Sequence, residues 1–152
     1  MLLIPKTVIE QIYAHMEKTY PSEACGLIIG TLGKQKEKIA ETFRPCRNLN
    51  QERSEDRYEL DPRDMLSVQQ ECENKPWDII GIYHSHPDHP SRPSKFDTDN
   101  AWHGYSYLIV SVNKGSVENM QSWELSDTEN IFNEESVAVS YTHLTLPTSD
   151  LV

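Results

Sequence analysis

Trp77-Asp78-Ile79-Ile80-Gly81-Ile82-Tyr83-His84-Ser85-His86-Pro87 is the stretch from which the rest of the chain is best understood. Ile79-Ile80-Gly81-Ile82 is a short, unbroken apolar run, the pattern of a strand buried on both faces. Side chains at i and i+2 share a face of a strand, so His84 and His86 present both imidazoles in one direction while Ser85 turns away. The strand is expected to end at Tyr83 and to deliver the two histidines to the rim of a sheet, where ligands are held firmly yet stay accessible. If Asp97 folds back onto them, two imidazoles and one carboxylate form a zinc-ligand set with a fourth position open for water.

On the N-terminal side, Ile4, Val8, Ile12, Met16 and Tyr20 recur every four positions, joined by Ile9 and Tyr13, which predicts an amphipathic helix from Pro5 to Tyr20 closed by Pro21. Ala24 to Gly30 is apolar and suits a buried strand; Gly33 and Lys34 to Lys38 form a hairpin loop, and a strand returns from Ile39 to Phe43. The polar stretch Arg47 to Arg57 is an exposed loop, able to serve as a flap facing substrate. Asp61-Pro62 pairs a capping side chain with a proline at the first helical position, so a helix runs from Pro62 to Cys72 with Met65, Leu66 and Val68 inward. Beyond the histidines, Pro87, Pro90 and Pro93 stiffen a turn before a short helix starting near Ser94. Strands follow at Tyr105 to Val112 and Val117 to Leu125, around the turn Asn113-Lys114-Gly115. The order α, β, β, α, β, α, β, β predicts the α/β class: a mixed β-sheet flanked by helices.

The 152 residues suit a single domain with a real core, expected to span 1–125. Residues 126–152 read as a polar C-terminal tail, expected to be disordered, and the string Ser140 to Ser149 resembles translated adapter sequence rather than native protein. No apolar run approaches the roughly 18 residues of a membrane helix, and the apolar opening Met1 to Pro5 is too short for a signal peptide. Cys25, Cys46 and Cys72 form neither a CxxC pair nor an even set, so reduced thiols and a cytoplasmic location are expected. A formal charge of −10 and a pI near 5.0 disfavour nucleic acid and anionic membrane as partners.

Alone, an HxH pair also occurs on ordinary exposed strands. Asp97 strengthens it, because Ser94-Lys95-Phe96-Asp97 puts a hydroxyl and a carboxylate within one helical turn. That tetrapeptide also reads as a helix capping box with Asp in place of Glu, and both roles can hold together. Cys25 lies inside an apolar strand and is expected to be an inert, buried thiol. His89, in the loop after His86, reads as a solvated histidine, with a transient ligand or a substrate contact as the alternative; His15, His103 and His143 read as ordinary residues without a role at the site.

These residues together resemble the JAMM (MPN+) metalloproteases, whose hallmark is an upstream Glu, then HSHP or HTHP, then Ser-x-x-Asp. Here the pattern falls on Glu23, His84-Ser85-His86-Pro87 and Ser94-Lys95-Phe96-Asp97. The resemblance covers residues 1 to about 125, including Ser22-Glu23-Ala24-Cys25-Gly26 and Trp102 with Gly104-Tyr105-Ser106-Tyr107; the short stand-alone bacterial members are the most similar. Relatives often carry proline where His103 stands.

The resemblance implies the JAMM/MPN fold, related to the cytidine-deaminase-like fold, and one Zn2+ per chain. His84, His86 and Asp97 would be the metal ligands and Glu23 and Ser94 the catalytic pair. Glu23 would take the proton from water and pass it to the leaving amine, so it must face the open position without becoming a fourth ligand. Ser94 would donate its hydroxyl to the oxyanion. Iron or cobalt can occupy the same ligands.

The implied function is a zinc-dependent metallopeptidase or isopeptidase acting on an amide bond at the C-terminal tail of a small protein or peptide, with an amino-acid adduct of a ubiquitin-like sulfur carrier as the leading substrate. The alternatives are a non-catalytic MPN-type interaction module and a metal-binding protein, neither of which needs both Glu23 and Ser94. The HExxH helix of the zincins and the H-x-E with P-C-x-x-C of the zinc deaminases are absent.

Overall fold

The computed structural model describes residues 1–141. Its elements are β1 (Leu2–Pro5), α1 (Lys6–Thr19), β2 (Cys25–Leu32), β3 (Lys38–Cys46), α2 (Pro62–Cys72), β4 (Asp78–Pro87), α3 (Lys95–Asp99), β5 (Ser106–Asn113), β6 (Ser116–Leu125), β7 (Phe132–Glu135) and β8 (Val137–Ser140). All eight strands join one mixed sheet in the order β7-β6-β5-β4-β2-β3-β1-β8. The pairs β4–β5, β1–β3 and β1–β8 are parallel and the others antiparallel.

Two apolar clusters sandwich the sheet. On one face α1 lays down Val8, Ile9, Ile12 and Met16 against Ile28, Ile80, Tyr83, Leu108, Val110 and Val112. On the other, Val68 and Cys72 of α2 meet Leu27, Ile29, Ile79, Ile82 and Tyr107. Helix α2 starts as expected: Asp61 accepts a hydrogen bond from the Arg63 amide at 2.9 Å, beside Pro62 in the first turn. Leu66 departs from its expected inward position and is 55% exposed, while Met65 is half-buried.

The register places the histidines. Leu27 pairs with Ile82, Gly26 with Tyr83 and Cys25 with His84, after a bulge opposite Ile28 and Ile29. From Ile82 onward the two-residue period puts Ile82, His84 and His86 on the α2 face and Tyr83 and Ser85 on the α1 face. Gly26 lets Tyr83 cross close to the neighbouring backbone, since a Cβ there would stand 2.3 Å from the Tyr83 ring.

Three departures from the sequence expectations share a cause. Strand β4 does not stop at Tyr83 but runs through Pro87, so the histidines lie within the sheet rather than at its rim. Strand β1 precedes α1, in the segment expected only to open a helix. Part of the stretch expected to be a disordered tail forms β7 and β8; β8 pairs with β1, Leu2 with Val137 through Pro5 with Ser140. Apart from β7, which folds back on the preceding β6, these strands draw their stability from partners distant in sequence, and nothing in their own composition announces them. Residues 142–152, including His143 and most of the adapter-like string, lie outside the described residues. Among the described residues no helix is long and apolar enough to cross a membrane.

Candidate active site

His84 and His86 are 0% and 6% exposed on the α2 face of β4. Asp97, in the first turn of α3, reaches both: its Oδ2 lies 3.0 Å from His86 Nε2 and its Oδ1 3.7 Å from His84 Nε2. Ser94 holds the carboxylate in place through a complete capping box. The Ser94 Oγ accepts from the Asp97 amide at 3.1 Å, and Asp97 Oδ2 accepts from the Ser94 amide at 2.9 Å. The hydroxyl proton of Ser94 stays free to donate elsewhere.

Glu23, 2% exposed, approaches from the turn between α1 and β2 and places Oε1 3.3 Å from His84 Nδ1. It is anchored by its neighbours. The Ala24 amide donates to Ser85 Oγ at 2.8 Å and the Ser85 amide to the Ala24 carbonyl at 3.0 Å, so the serine between the histidines stitches the glutamate's strand to theirs. Asn48 Nδ2 donates to the Glu23 carbonyl at 3.2 Å and to the Arg57 carbonyl at 3.0 Å, and the Glu23 amide donates to the Ser54 carbonyl. The polar loop is thereby tied across the site.

That loop supplies a residue the sequence reading passed over. Tyr58 stacks on His84 with ring centroids 4.2 Å apart and planes 23° from parallel. Tyr58 lies just past the polar stretch that marks the loop, and no local pattern singles it out. The Pro90 carbonyl was equally unmarked; it accepts a hydrogen bond from His86 Nδ1 at 2.7 Å. That bond assigns the proton to Nδ1 and leaves the Nε2 lone pair facing Asp97.

Two acceptors 3.0 Å apart need a cation between them, a proton or a metal ion. The same holds around His84. Neither of its ring nitrogens, nor Glu23 Oε1, has a hydrogen-bond partner among the described residues, although all three atoms are buried. Ligand atoms of Glu23, His84 and His86 lie within 4.8 Å of one another. Burial alone would lower the His84 imidazole, but the Asp97 and Glu23 carboxylates outweigh it and hold His84 above its ordinary value. Burial alone would raise Asp97, but the two imidazoles and the Ser94 amide hold it well below the usual carboxylate range. Such a pocket of nitrogen and oxygen donors fits a zinc-like ion.

The remaining candidates fall elsewhere. Cys25 is buried, and burial pushes its thiol up, so it is a poor nucleophile at neutral pH. All three cysteines are free thiols. His15 packs against the far face of the sheet, bonded through Nδ1 to the Tyr83 hydroxyl at 2.8 Å. His103 lies 3.8 Å from Asp127 on the surface. His89 is exposed but lines a cleft at the site.

Two openings lead to the cluster. A cavity of about 670 Å3 runs from Asp97 past Tyr58, Leu60, Met65, Leu66 and Trp102, and a second cleft of about 480 Å3 opens beside Glu23 and His86.

Known proteins resemble this chain in sequence and in fold. A family model for prokaryotic homologs of the JAB domain matches residues 5–126. A desampylase of Haloferax volcanii is 35% identical over 122 residues, covering 78% of this chain and 79% of its own. A CysO-cysteine peptidase of Mycobacterium tuberculosis is 29% identical over 131 residues, 84% of each chain. The crystal structure of AF2198, a JAB1/MPN domain protein from Archaeoglobus fulgidus, shares the fold with a TM-score of 0.58 at 14% identity, over 91% of this chain and 98% of that one.

Proposed function

Because the chain belongs to the prokaryotic homologs of the JAB domain, we propose that it is a zinc-dependent peptidase or isopeptidase that hydrolyses an amide bond at the C-terminal tail of a small protein. The leading substrate is a ubiquitin-like sulfur carrier bearing an amino acid, a reading supported by the CysO-cysteine peptidase and desampylase relatives. The observation that carries the catalytic reading is the burial of two imidazoles between two carboxylates, Asp97 on the Nε2 side of His84 and His86 and Glu23 at His84 Nδ1, with three of these polar atoms unpartnered among the described residues.

His84, His86 and Asp97 would hold the zinc, which supplies Lewis acidity, easing the deprotonation of water and polarising the scissile carbonyl. Glu23 is the proton carrier: its unpartnered Oε1 takes a proton from the attacking water and returns it to the departing nitrogen. Ser94 keeps its hydroxyl proton for the oxygen that gains charge, while its lone pair caps α3. Tyr58 and the tied loop exclude water from one face of the His84 ring. The apolar cavity between α2 and Trp102 receives the extended tail, and glycines at its end allow the backbone to approach the cluster closely.

The test is to incubate the zinc-loaded protein with carrier adducts and follow release by mass spectrometry. Release of the amino acid from the carrier is expected. Cleavage of unrelated peptides alone would remove the carrier assignment and leave the hydrolase, whereas cleavage of nothing would end the catalytic reading.

A further inference from the structure

The cleft beside Glu23 and the cavity beside Asp97 differ in charge. The chain has a formal charge of −10, yet four of its 14 lysines and arginines, Arg53, Arg57, Arg92 and Lys95, line the smaller cleft together with His89. Only Glu23 and Asp56 oppose them there. Three of the four cations are engaged. Arg53 pairs with Asp56, the Arg57 guanidinium lies 4.8 Å over the Phe96 ring, and Lys95 meets Asp99 at 2.7 Å. Arg92 has no hydrogen bond, ion pair or ring partner among the described residues.

The proton path decides which half of the substrate lies in this cleft. In amide hydrolysis the bond from acyl carbon to nitrogen breaks, a bond from that carbon to the water oxygen forms, and the nitrogen departs with protons drawn from the water. Glu23 delivers the proton to that nitrogen, and Glu23 lines the cationic cleft, not the apolar cavity. The amine therefore leaves through the cationic cleft and the acyl tail occupies the cavity. A lysine side chain joined by an isopeptide bond brings no anion close to its nitrogen. An α-amino acid brings a carboxylate on the adjacent carbon, within reach of a guanidinium fork.

We propose that Arg92 holds the carboxylate of the departing α-amino acid and is the residue that favours trimming of a carrier's C-terminus over opening of side-chain conjugates. This rests on the hydrolytic reading above and adds the residue that recognises the departing half. The surrounding cations raise the local positive potential, and Arg92 supplies the paired donors that orient the carboxylate.

The experiment uses a ubiquitin-like sulfur-carrier protein extended by one C-terminal alanine, with the carboxylate free or blocked as the amide, and the same carrier joined to a lysine side chain of a peptide. The free acid should be cleaved with a kcat/KM on the order of tenfold or more above the amide. Arg92→Ala should bring that ratio close to one, and Arg92→Lys should hold it between. Arg92 is exposed, so neither change threatens the fold. L-alanine should also shift the backbone amide resonances of His89 and Lys95 in the metal-free protein, and should not in Arg92→Ala. Equal cleavage of acid and amide, a ratio unmoved by Arg92→Ala, or preference for the lysine-linked carrier overturns the proposal while the hydrolase stands. Cleavage of none of the three overturns the hydrolytic reading and this inference with it.

Discussion

Tyr58 lies flat on His84, ring centroids 4.2 Å apart, although the two residues come from a loop and from the central strand of the sheet. The contact closes one face of the imidazole and leaves its edge to the carboxylates. A ring held this way loses little freedom when it ligates an ion, and groups that fix a metal-binding imidazole typically matter about 10- to 100-fold to affinity. Tyr58→Ala is expected to weaken zinc binding by about tenfold, measured by competition with a chromophoric chelator, while Tyr58→Phe, which keeps the stack, retains it. Equal affinities in all three proteins would remove Tyr58 from the site.

On the proposed mechanism, Glu23 separates holding a metal from using one. Glu23→Gln preserves the shape at the turn and the strand stitching through Ala24, which uses backbone atoms and Ser85. The variant should bind zinc at wild-type stoichiometry by elemental analysis and lose at least about a hundredfold in cleavage rate, the usual scale for a proton carrier.

On the proposed mechanism Ser94 has two jobs, which a pair of measurements can divide. Its lone pair caps α3, and its proton is free for substrate. Ser94→Ala should cost about 1 kcal/mol of stability through the lost cap, a shift of a few degrees in Tm. The cleavage rate should fall by on the order of a hundredfold. A rate that falls only in step with stability would leave Ser94 as a cap.

Gly26 faces Tyr83 across β2 and β4. A Cβ at Gly26 would meet the Tyr83 ring at 2.3 Å, and Tyr83 is fully buried with its hydroxyl bonded to His15, so the ring has nowhere to move. Gly26→Ala should destabilise the protein by about 1–3 kcal/mol, seen as a lower midpoint in urea.

Acid should unfold the metal-free protein by a traceable route. The Arg63 guanidinium and amide beside Asp61, the Arg44 guanidinium beside Glu71, and the Lys114 amide on Asp88 hold these carboxyls below their ordinary values. A folded-state value below the unfolded one contributes stability that is complete above the unfolded pKa of about 4 and is lost as the pH falls through the folded value. Tm should therefore fall as the pH drops below about 4. A Tm that rose as the pH dropped below about 4 would contradict these ion pairs.

Much of the site could be read from local rules. The spacing of His84 and His86 ensures a shared face wherever their strand lies, and Ser94 with Asp97 writes a capping box into one helical turn. The α1 stripe of Val8, Ile12 and Met16 is buried as its period requires. Glu23 was marked by its likeness to a family pattern rather than by anything local to it, since a lone glutamate before a strand carries no signal of its own. Helical period predicts Leu66 inward, and it instead lines the cavity where a tail would pack.

By itself the sequence determined which side chains point together within a single strand or helix turn, because a two-residue or 3.6-residue repeat is a property of the backbone alone. The tertiary structure decided which of those faces meet. Glu23 comes to His84 through the pairing of β2 with β4, Tyr58 through a loop tied by Asn48, and β8 to β1 across nearly the whole described chain. Each of these contacts joins residues far apart in sequence, so its energy depends on the partner's position and is written in neither segment separately.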